Sequence, residues 1–415
     1  MLLSLAGMKK RKIVNDPVYG FITIPDGIIF RLIEHPWFQR LRRIQQLGIT
    51  YLVYPGATHT RFHHALGAMH LMTKAIETLR SKDVTITDEE AESAKIAILL
   101  HDIGHGPFSH TLEHSLVHNV SHEDISSMLM ERLNKEFKGK LTLAIKIFRD
   151  QYHKKFLHQL ISSQLDVDRL DYLTRDTFFT GVSEGVVGYD RIITMLNVAK
   201  GQLVVESKGI YSIEKFIIAR RLMYWQVYLH KTVLAAMEMQ VNIMRRAREL
   251  ADKKIALFCT PALEVFLYNH ISKKDFEKNP GLLGMFAQLD DNDIMTGIKV
   301  WMNHEDTILS NLCHWLVDRR LLKIKLQNKP FPEKLISDIK GRAMKEYNLS
   351  AKEVSYIAFA GDVINDIYST HRVRINMLYP GNKMVDITKA SDHLNASVLD
   401  KKIKKYFLCF PKELI

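Results

Sequence analysis

The sequence predicts a mostly α-helical fold: a helical core over residues 1–325 and a smaller C-terminal α+β lobe over 326–415. Three observations carry this. Apolar residues recur at helical spacing through most of the first 320 positions. Two stretches open with the capping chemistry of helix N-termini. Strand-like runs instead cluster after about residue 352, in "VSYIAFA", "RINMLY" and "KYFLCF".

The elements follow in order. "IIFRLIEHPWFQRLRRIQQL" (28–47) predicts two short helices parted at Pro36, because proline removes a backbone donor and clashes with the preceding turn. "ALGAMHLMTKAIETLRSK" predicts an amphipathic helix after the irregular "YPGATHTRF". In "TDEEAESAKIAILLHDIGH", Thr87 is the cap and Asp88, Glu89 and Glu90 complement the helix dipole. Its near-continuous apolar "AKIAILL" predicts burial on most sides, ending at Gly104 and Gly106-Pro107. "SHEDISSMLMERLNKEF" opens with Ser121 as cap and Asp124 three positions on. A β-hairpin near 201–213 is expected from "GQLVVESKGIYSI", turning around Ser207–Gly209. One long helix over 213–251, further helix over 279–325 and a helical "DHLNASVLDKKIKK" complete the expectation.

Composition narrows the classes. Of 415 residues, 47% are hydrophobic and 25% charged, which is the balance of a globular protein. No apolar run reaches the roughly 18–20 residues that span a bilayer, so no membrane partner is expected. The start "MLLSLAGMKKRK" lacks the order of a secretory signal. Cys259, Cys313 and Cys409 form no framework, consistent with a reducing cytoplasm. The net charge of +12 points to anionic partners such as nucleotides or nucleic acid.

Histidine is the sharper signal. Ten of the 19 histidines lie between His59 and His122, four of them in "HDIGHGPFSHTLEH". His101 and Asp102 adjoin where a buried helix ends; His64 lies in "HTRFHH" and Asp168 in "DVDRLDYLTRD". Two imidazoles and two carboxylates suit Mn, Fe, Zn or Ni better than calcium. A buried histidine hydrogen-bonded to an aspartate is the competing structural reading, and Gly104 is expected to let the backbone turn beneath the site.

"RFHHALG", "HDIGHGPFSH" and "DVDRLDYLTRD" occur in that order and together resemble the HD-domain phosphohydrolases, while "YWQVYLHKT" belongs to a narrower match. The closer resemblance is to the deoxynucleoside triphosphate triphosphohydrolases, running from "KIVNDPVYGFI" to about residue 232 and, less strongly, into the tail. It implies an HD-domain helical core in which His64, His101, Asp102 and Asp168 bind one metal. It further implies that His110 acts as general acid with Glu113 orienting it, three residues apart on one helical face. His105 and His122 become triphosphate or water contacts, or else hydrogen-bonded neighbours of the ligands. Arg61, Arg169 and Arg220 would hold phosphate; Gln46, Leu47, Tyr172, Asp176 and Tyr228 would hold the deoxyribose. His63 stands where that family often has glutamate, and Arg169 where it often has lysine.

The reaction implied is dNTP hydrolysis, dGTP among the substrates, to deoxynucleoside and inorganic triphosphate, with Mg²⁺ on the triphosphate. A mammalian member binds nucleotide activators between subunits, and Lys12, Asn15, Glu34, Gln39 and Arg42 match that pattern, with Glu34 where aspartate is usual. A nucleotide activator and a homotetramer or dimer are therefore expected partners. The alternatives are another HD phosphohydrolase, acting on cyclic nucleotides or alarmones, and a nuclease or single-stranded nucleic-acid-binding protein. For the latter, "RRIQQLGITYLVYP" and "KKIKKYF" interleave basic and aromatic residues.

Overall fold

The computed structural model describes residues 12–108, 111–112, 116–117, 119–365, 374–392 and 403–414. The chain begins with an antiparallel hairpin, β1 (Lys12–Asp16) and β2 (Gly20–Ile24), in register Lys12↔Ile24 to Asp16↔Gly20. Helices Ile28–Glu34 and Pro36–Gln39 part at Pro36 as expected, and the second tightens into a 3₁₀ turn over Arg40–Arg43.

Helix Arg61–Arg80 is the axis of the core. It is buried around most of its circumference rather than along one stripe. His63 explains part of its start: its Nδ1 accepts from Thr60 N at 3.2 Å and faces Thr60 Oγ1 at 3.0 Å, capping the helix. Burial pushes the His63 imidazole pKa down, which keeps that acceptor available. Helix Asp88–Leu100 packs alongside with the expected Thr87–Glu90 capping box, and Tyr152 and Lys154 also donate to Glu90 at 2.6 and 2.8 Å. Helix His122–Glu136 opens with the Ser121–Asp124 capping box. Gly104 is needed for close approach rather than for a turn: a Cβ there would lie 2.2 Å from Ser126 N and 2.4 Å from His122 O.

Helix Val167–Thr180 lies against the axis, and short helices Thr142–Phe148 and Lys155–Gln159 precede it. The hairpin expected near 201–213 lies earlier. It consists of β3 (Leu196–Ala199) and β4 (Gln202–Glu206), turning at Lys200-Gly201, both with positive φ. That is the two-residue turn whose twist matches the strands. Ser207–Gly209 instead leads into helix Ile210–Met223. The expected 213–251 helix is also interrupted. A π-turn at Tyr224–Tyr228 and a break at Leu229-His230 separate it from helix Lys231–Asp252. Such π-segments are frequently found at functional sites.

The 279–325 stretch resolves into helices Gly281–Phe286, Asp291–Trp301 and Thr307–Val317, then β5 (Lys323–Gln327). After helix Glu333–Tyr347 come β6 (Phe359–Asn365), β7 (Asn376–Tyr379), β8 (Lys383–Asp386) and β9 (Ile403–Phe410). "IKK" of the expected tail helix is therefore strand, because it continues the apolar alternation that pairs with β6; residues 393–402 lie outside the described residues. One sheet has the order β5-β9-β6, and another β3-β4-β7-β8 with β4 and β7 parallel. A division at 325/326 would run through β5, and β4 pairs with a strand beyond it. The apolar core is one cluster from Ile22 to Leu414. No helix among the described residues is long and apolar enough to cross a membrane.

Candidate metal centre and substrate cavity

Three helix ends build the centre. His64 projects from the first turn of helix Arg61–Arg80, His101 caps helix Asp88–Leu100, and Asp168 lies in the first turn of helix Val167–Thr180. One ligand atom from each lies within 4.8 Å of the others, so this set can hold a metal ion. His64 Nε2 stands 3.1 Å and His101 Nε2 3.4 Å from Asp168 Oδ1.

The imidazole rings are set for ligation. His64 Nδ1 meets Asp171 Oδ2 at 2.7 Å and His101 Nδ1 meets the Ile98 carbonyl at 2.6 Å. With Nδ1 the donor in each, both Nε2 lone pairs face the centre. Both Nε2 atoms are buried, and neither is aligned for a hydrogen bond despite the nearby carboxylate. An orphaned polar atom in that position is costly unless something binds it.

Asp102 stands beside these three. Its Oδ1 lies 3.3 Å from His101 Nε2 and 3.2 Å from His105 Nε2. Its Oδ2 lies 3.7 Å from His64 Nε2 and accepts from Arg61. The carboxylate is thus shared between the centre and two neighbours.

The electrostatics favour a cation. Burial pushes the His64 imidazole down, but Asp168 and Asp171 outweigh it and hold the ring at about 10. The Asp168 carboxyl is held well below its usual range, because His101 and His64 overcome its desolvation. Once a metal ion displaces the His64 proton and the histidines are neutral ligands, carboxylates Asp16, Asp102, Asp168 and Asp171 face guanidiniums Arg61 and Arg175 in the contacting network. The excess is two negative charges, which a divalent ion balances. The mixed donor set fits Mn, Fe, Zn or Ni.

A cavity of about 520 Å³ opens beside the centre. Asp102 and Asp168 form its metal end, with Arg61, Arg169, His105 and His122 around it. Gln46, Leu47, Tyr172, Asp176 and Tyr228 line the remainder, together with Tyr224 and Met237. Gln46 Oε1 and Arg169 Nε are buried and have no hydrogen-bond partner. His105 and His122 stack with centroids 3.9 Å apart. Burial and Arg61 press the His105 pKa well below its usual value, so at neutral pH it is a neutral hydrogen-bonding group.

At the far wall, Tyr228 donates to Asp176 Oδ2 at 2.8 Å while His59 Nε2 meets Oδ1 at 2.7 Å. Burial raises the Tyr228 phenol pKa, keeping it a donor. Arg220 does not line this cavity; its Nη1 donates to Gln164 at 3.4 Å. His110 and Glu113 lie outside the described residues.

The five residues matching the activator pattern also stand apart from the cavity. Lys12 sits 3.5 Å over the Phe30 ring, and Asn15 and Glu34 are exposed. Gln39 accepts from Arg42 at 2.8 Å and donates to Ile33 O at 2.7 Å, while Arg42 lies 3.6 Å over Phe62.

Several residues that the motifs did not single out organise the site. Arg40 is fully buried and donates to the carbonyls of Leu289, Ile103 and His105 at 2.7, 2.8 and 2.8 Å. Asp291 accepts from Gln45 N at 2.8 Å and Phe108 N at 2.7 Å, joining two cavity loops; Phe108 has φ 51°. The only sequence signals for these are the first arginine of "QRLRR" and the acidic "LDDND".

Burial raises the Asp291 carboxyl to about 7. The unfolded chain releases that proton near 4. Between these values the folded state binds more protons, so Asp291 contributes less to stability as pH rises from about 4 to 7. Asp291→Asn should flatten that part of the stability profile, measured as unfolding midpoint against pH. Parallel profiles for variant and wild type would contradict this assignment.

The HD domain family matches residues 61–176, and the HD associated region matches 187–259. The uncharacterized protein YwfO of Bacillus subtilis is 30% identical, over 98% of this chain and 94% of its own. A crystal structure of a phosphohydrolase from Bacteroides thetaiotaomicron is 52% identical, with a TM-score of 0.93 over 97% of this chain and 100% of its own. The deoxynucleoside triphosphate triphosphohydrolase SAMHD1 of Gallus gallus is 29% identical over 53% of this chain, which spans 43% of that protein's length. Fold and site thus define a phosphohydrolase of the HD type. The chain belongs to the HD-domain phosphohydrolase family.

Proposed function

We propose that this protein hydrolyses deoxynucleoside triphosphates at the α-phosphorus, releasing deoxynucleoside and inorganic triphosphate. The observation that carries the reading is one continuous cavity. It joins the His64–His101–Asp168 centre to two arginines at one end and to a tyrosine–aspartate wall at the other. Its volume suits a nucleotide. The SAMHD1-type relatives support the same substrate class.

A divalent ion at this centre would supply Lewis-acid polarisation of a phosphate oxygen and an acidified water. The chain's own residues do the rest. Arg61 and Arg169 present fixed guanidiniums to the phosphates, pre-paired with Asp102 and Asp166 and so already oriented. Asp102 keeps the neutral His105 imidazole at the phosphate end. As the family resemblance implies, His110 serves as general acid for the departing 5′-oxygen and Glu113 assists it. Asp176 and Tyr228 bind the sugar, and Tyr172 closes against its 2′ edge, where a hydroxyl would collide.

Product identification with each dNTP tests the reading; pyrophosphate and dNMP would overturn it. Tyr172→Ala should raise turnover of ribonucleoside triphosphates relative to dNTPs by about tenfold, the scale at which a steric contact discriminates. An unchanged ratio, measured as kcat/KM for the pair, would remove Tyr172 from that role.

A further inference from the structure

Helix Val167–Thr180 carries a second buried device behind Asp168. Asp171 Oδ2 meets His64 Nδ1 at 2.7 Å. Arg175 grips the same carboxylate with two nitrogens, Nε at 3.0 Å and Nη2 at 2.9 Å. Its remaining nitrogen, Nη1, donates to Asp16 Oδ2 at 2.7 Å, at the end of β1. The other oxygen of Asp16 accepts from Val18 N at 2.9 Å and Tyr19 N at 3.0 Å, fixing the turn into β2. None of Asp16, His64, Asp171 and Arg175 is more than 3% exposed. The axial helix makes room for the pair: a Cβ on Gly67 would lie 2.0 Å from Asp171 Oδ1 and 2.2 Å from Arg175 Nη2.

Stability alone gives a poor account of this arrangement. A buried ion pair seldom stabilises more than well-packed apolar groups of the same volume. What the chain of contacts does provide is orientation. Asp171 fixes the His64 ring with Nε2 toward the centre, Arg175 fixes the plane of Asp171, and Asp16 fixes Arg175.

We propose that Arg175 and Asp16 are positioning residues of the metal centre. The N-terminal hairpin is then part of that centre, although no residue of β1 or β2 lines the cavity. The inference rests on the reading of His64 as a ligand.

The test is metal affinity of the whole chain, by chelator competition with Mn²⁺ and Zn²⁺, alongside thermal unfolding of the metal-free protein. Asp16→Asn keeps an acceptor for Val18 and Tyr19 but removes the charge facing Arg175. It should weaken metal binding about tenfold or more, the scale found for groups behind a ligand. Arg175→Lys retains the charge but not the three-way grip, and should weaken binding similarly; it carries the test if Asp16→Asn does not fold. Wild-type affinity in a folded variant, with only the unfolding temperature changed, overturns the proposal. Wild-type protein that binds neither metal overturns the ligand reading and the proposal together.

Discussion

Asp168→Ala is expected to leave the protein folded, empty its metal centre and lower hydrolysis on the order of 10³-fold or more, the scale at which residues acting as one unit fail. Asp168 is the carboxylate that both imidazole Nε2 atoms face, at 3.1 and 3.4 Å. Without it, His64 and His101 retain their Nδ1 partners but share no anionic oxygen. Two neutral nitrogens and the Asp102 carboxylate, which Arg61 and His105 already share, hold a divalent ion poorly. His64→Ala should cost as much, and the double variant little more than either single one, because each already disables the unit. Metal analysis of the purified variants decides the matter. Retention of stoichiometric metal by Asp168→Ala would mean that Asp102 and the histidines suffice and that Asp168 serves another purpose.

Arg40→Ala carries the second largest expected effect, and it acts on folding. The guanidinium is completely buried, and burial depresses its pKa only to about 10, so it stays charged at neutral pH. Removing it strands the carbonyls of Leu289, Ile103 and His105 without solvent. It also leaves a cavity beside the metal loop. The expected loss is about 3–5 kcal/mol, the range for breaking a buried charged contact. Arg40→Lys should recover only part, since one ammonium cannot reach three carbonyls with the geometry of a planar fork. Denaturant midpoints for the two variants test this. Wild-type midpoints would show that those carbonyls find other partners.

Much of this was legible in the chain. The capping boxes at Thr87 and Ser121 were readable because capping is local chemistry. The set His64, His101 and Asp168 was readable because ligand-type residues cluster near helix ends. The misplaced hairpin shows where local reading fails: Ser207–Gly209 has turn-like residues, but Lys200-Gly201 has the positive φ values that the strand twist requires. The π-turn at Tyr224–Tyr228 was invisible because helical apolar spacing runs through it, from Phe216, Ala219 and Met223 to Val227; its carbonyl at Gln226 accepts from Tyr54 and its Trp225 ring packs 3.9 Å from Lys405, contacts set by distant chain. Asp171, Arg175 and Arg40 were missed for the same reason. Each acts through a partner far away in sequence, and only the i,i+3 step from Asp168 to Asp171 and the i,i+4 step to Arg175 hinted at a shared buried face.

The most direct test of the central claim is hydrolysis of dGTP by metal-loaded protein in ¹⁸O-enriched water, with products separated by mass. Attack at the α-phosphorus with cleavage of its bond to the 5′-oxygen places one ¹⁸O in inorganic triphosphate and leaves deoxyguanosine unlabelled. Label in a nucleoside monophosphate or in pyrophosphate, or no turnover of any dNTP by fully loaded protein, would contradict the account.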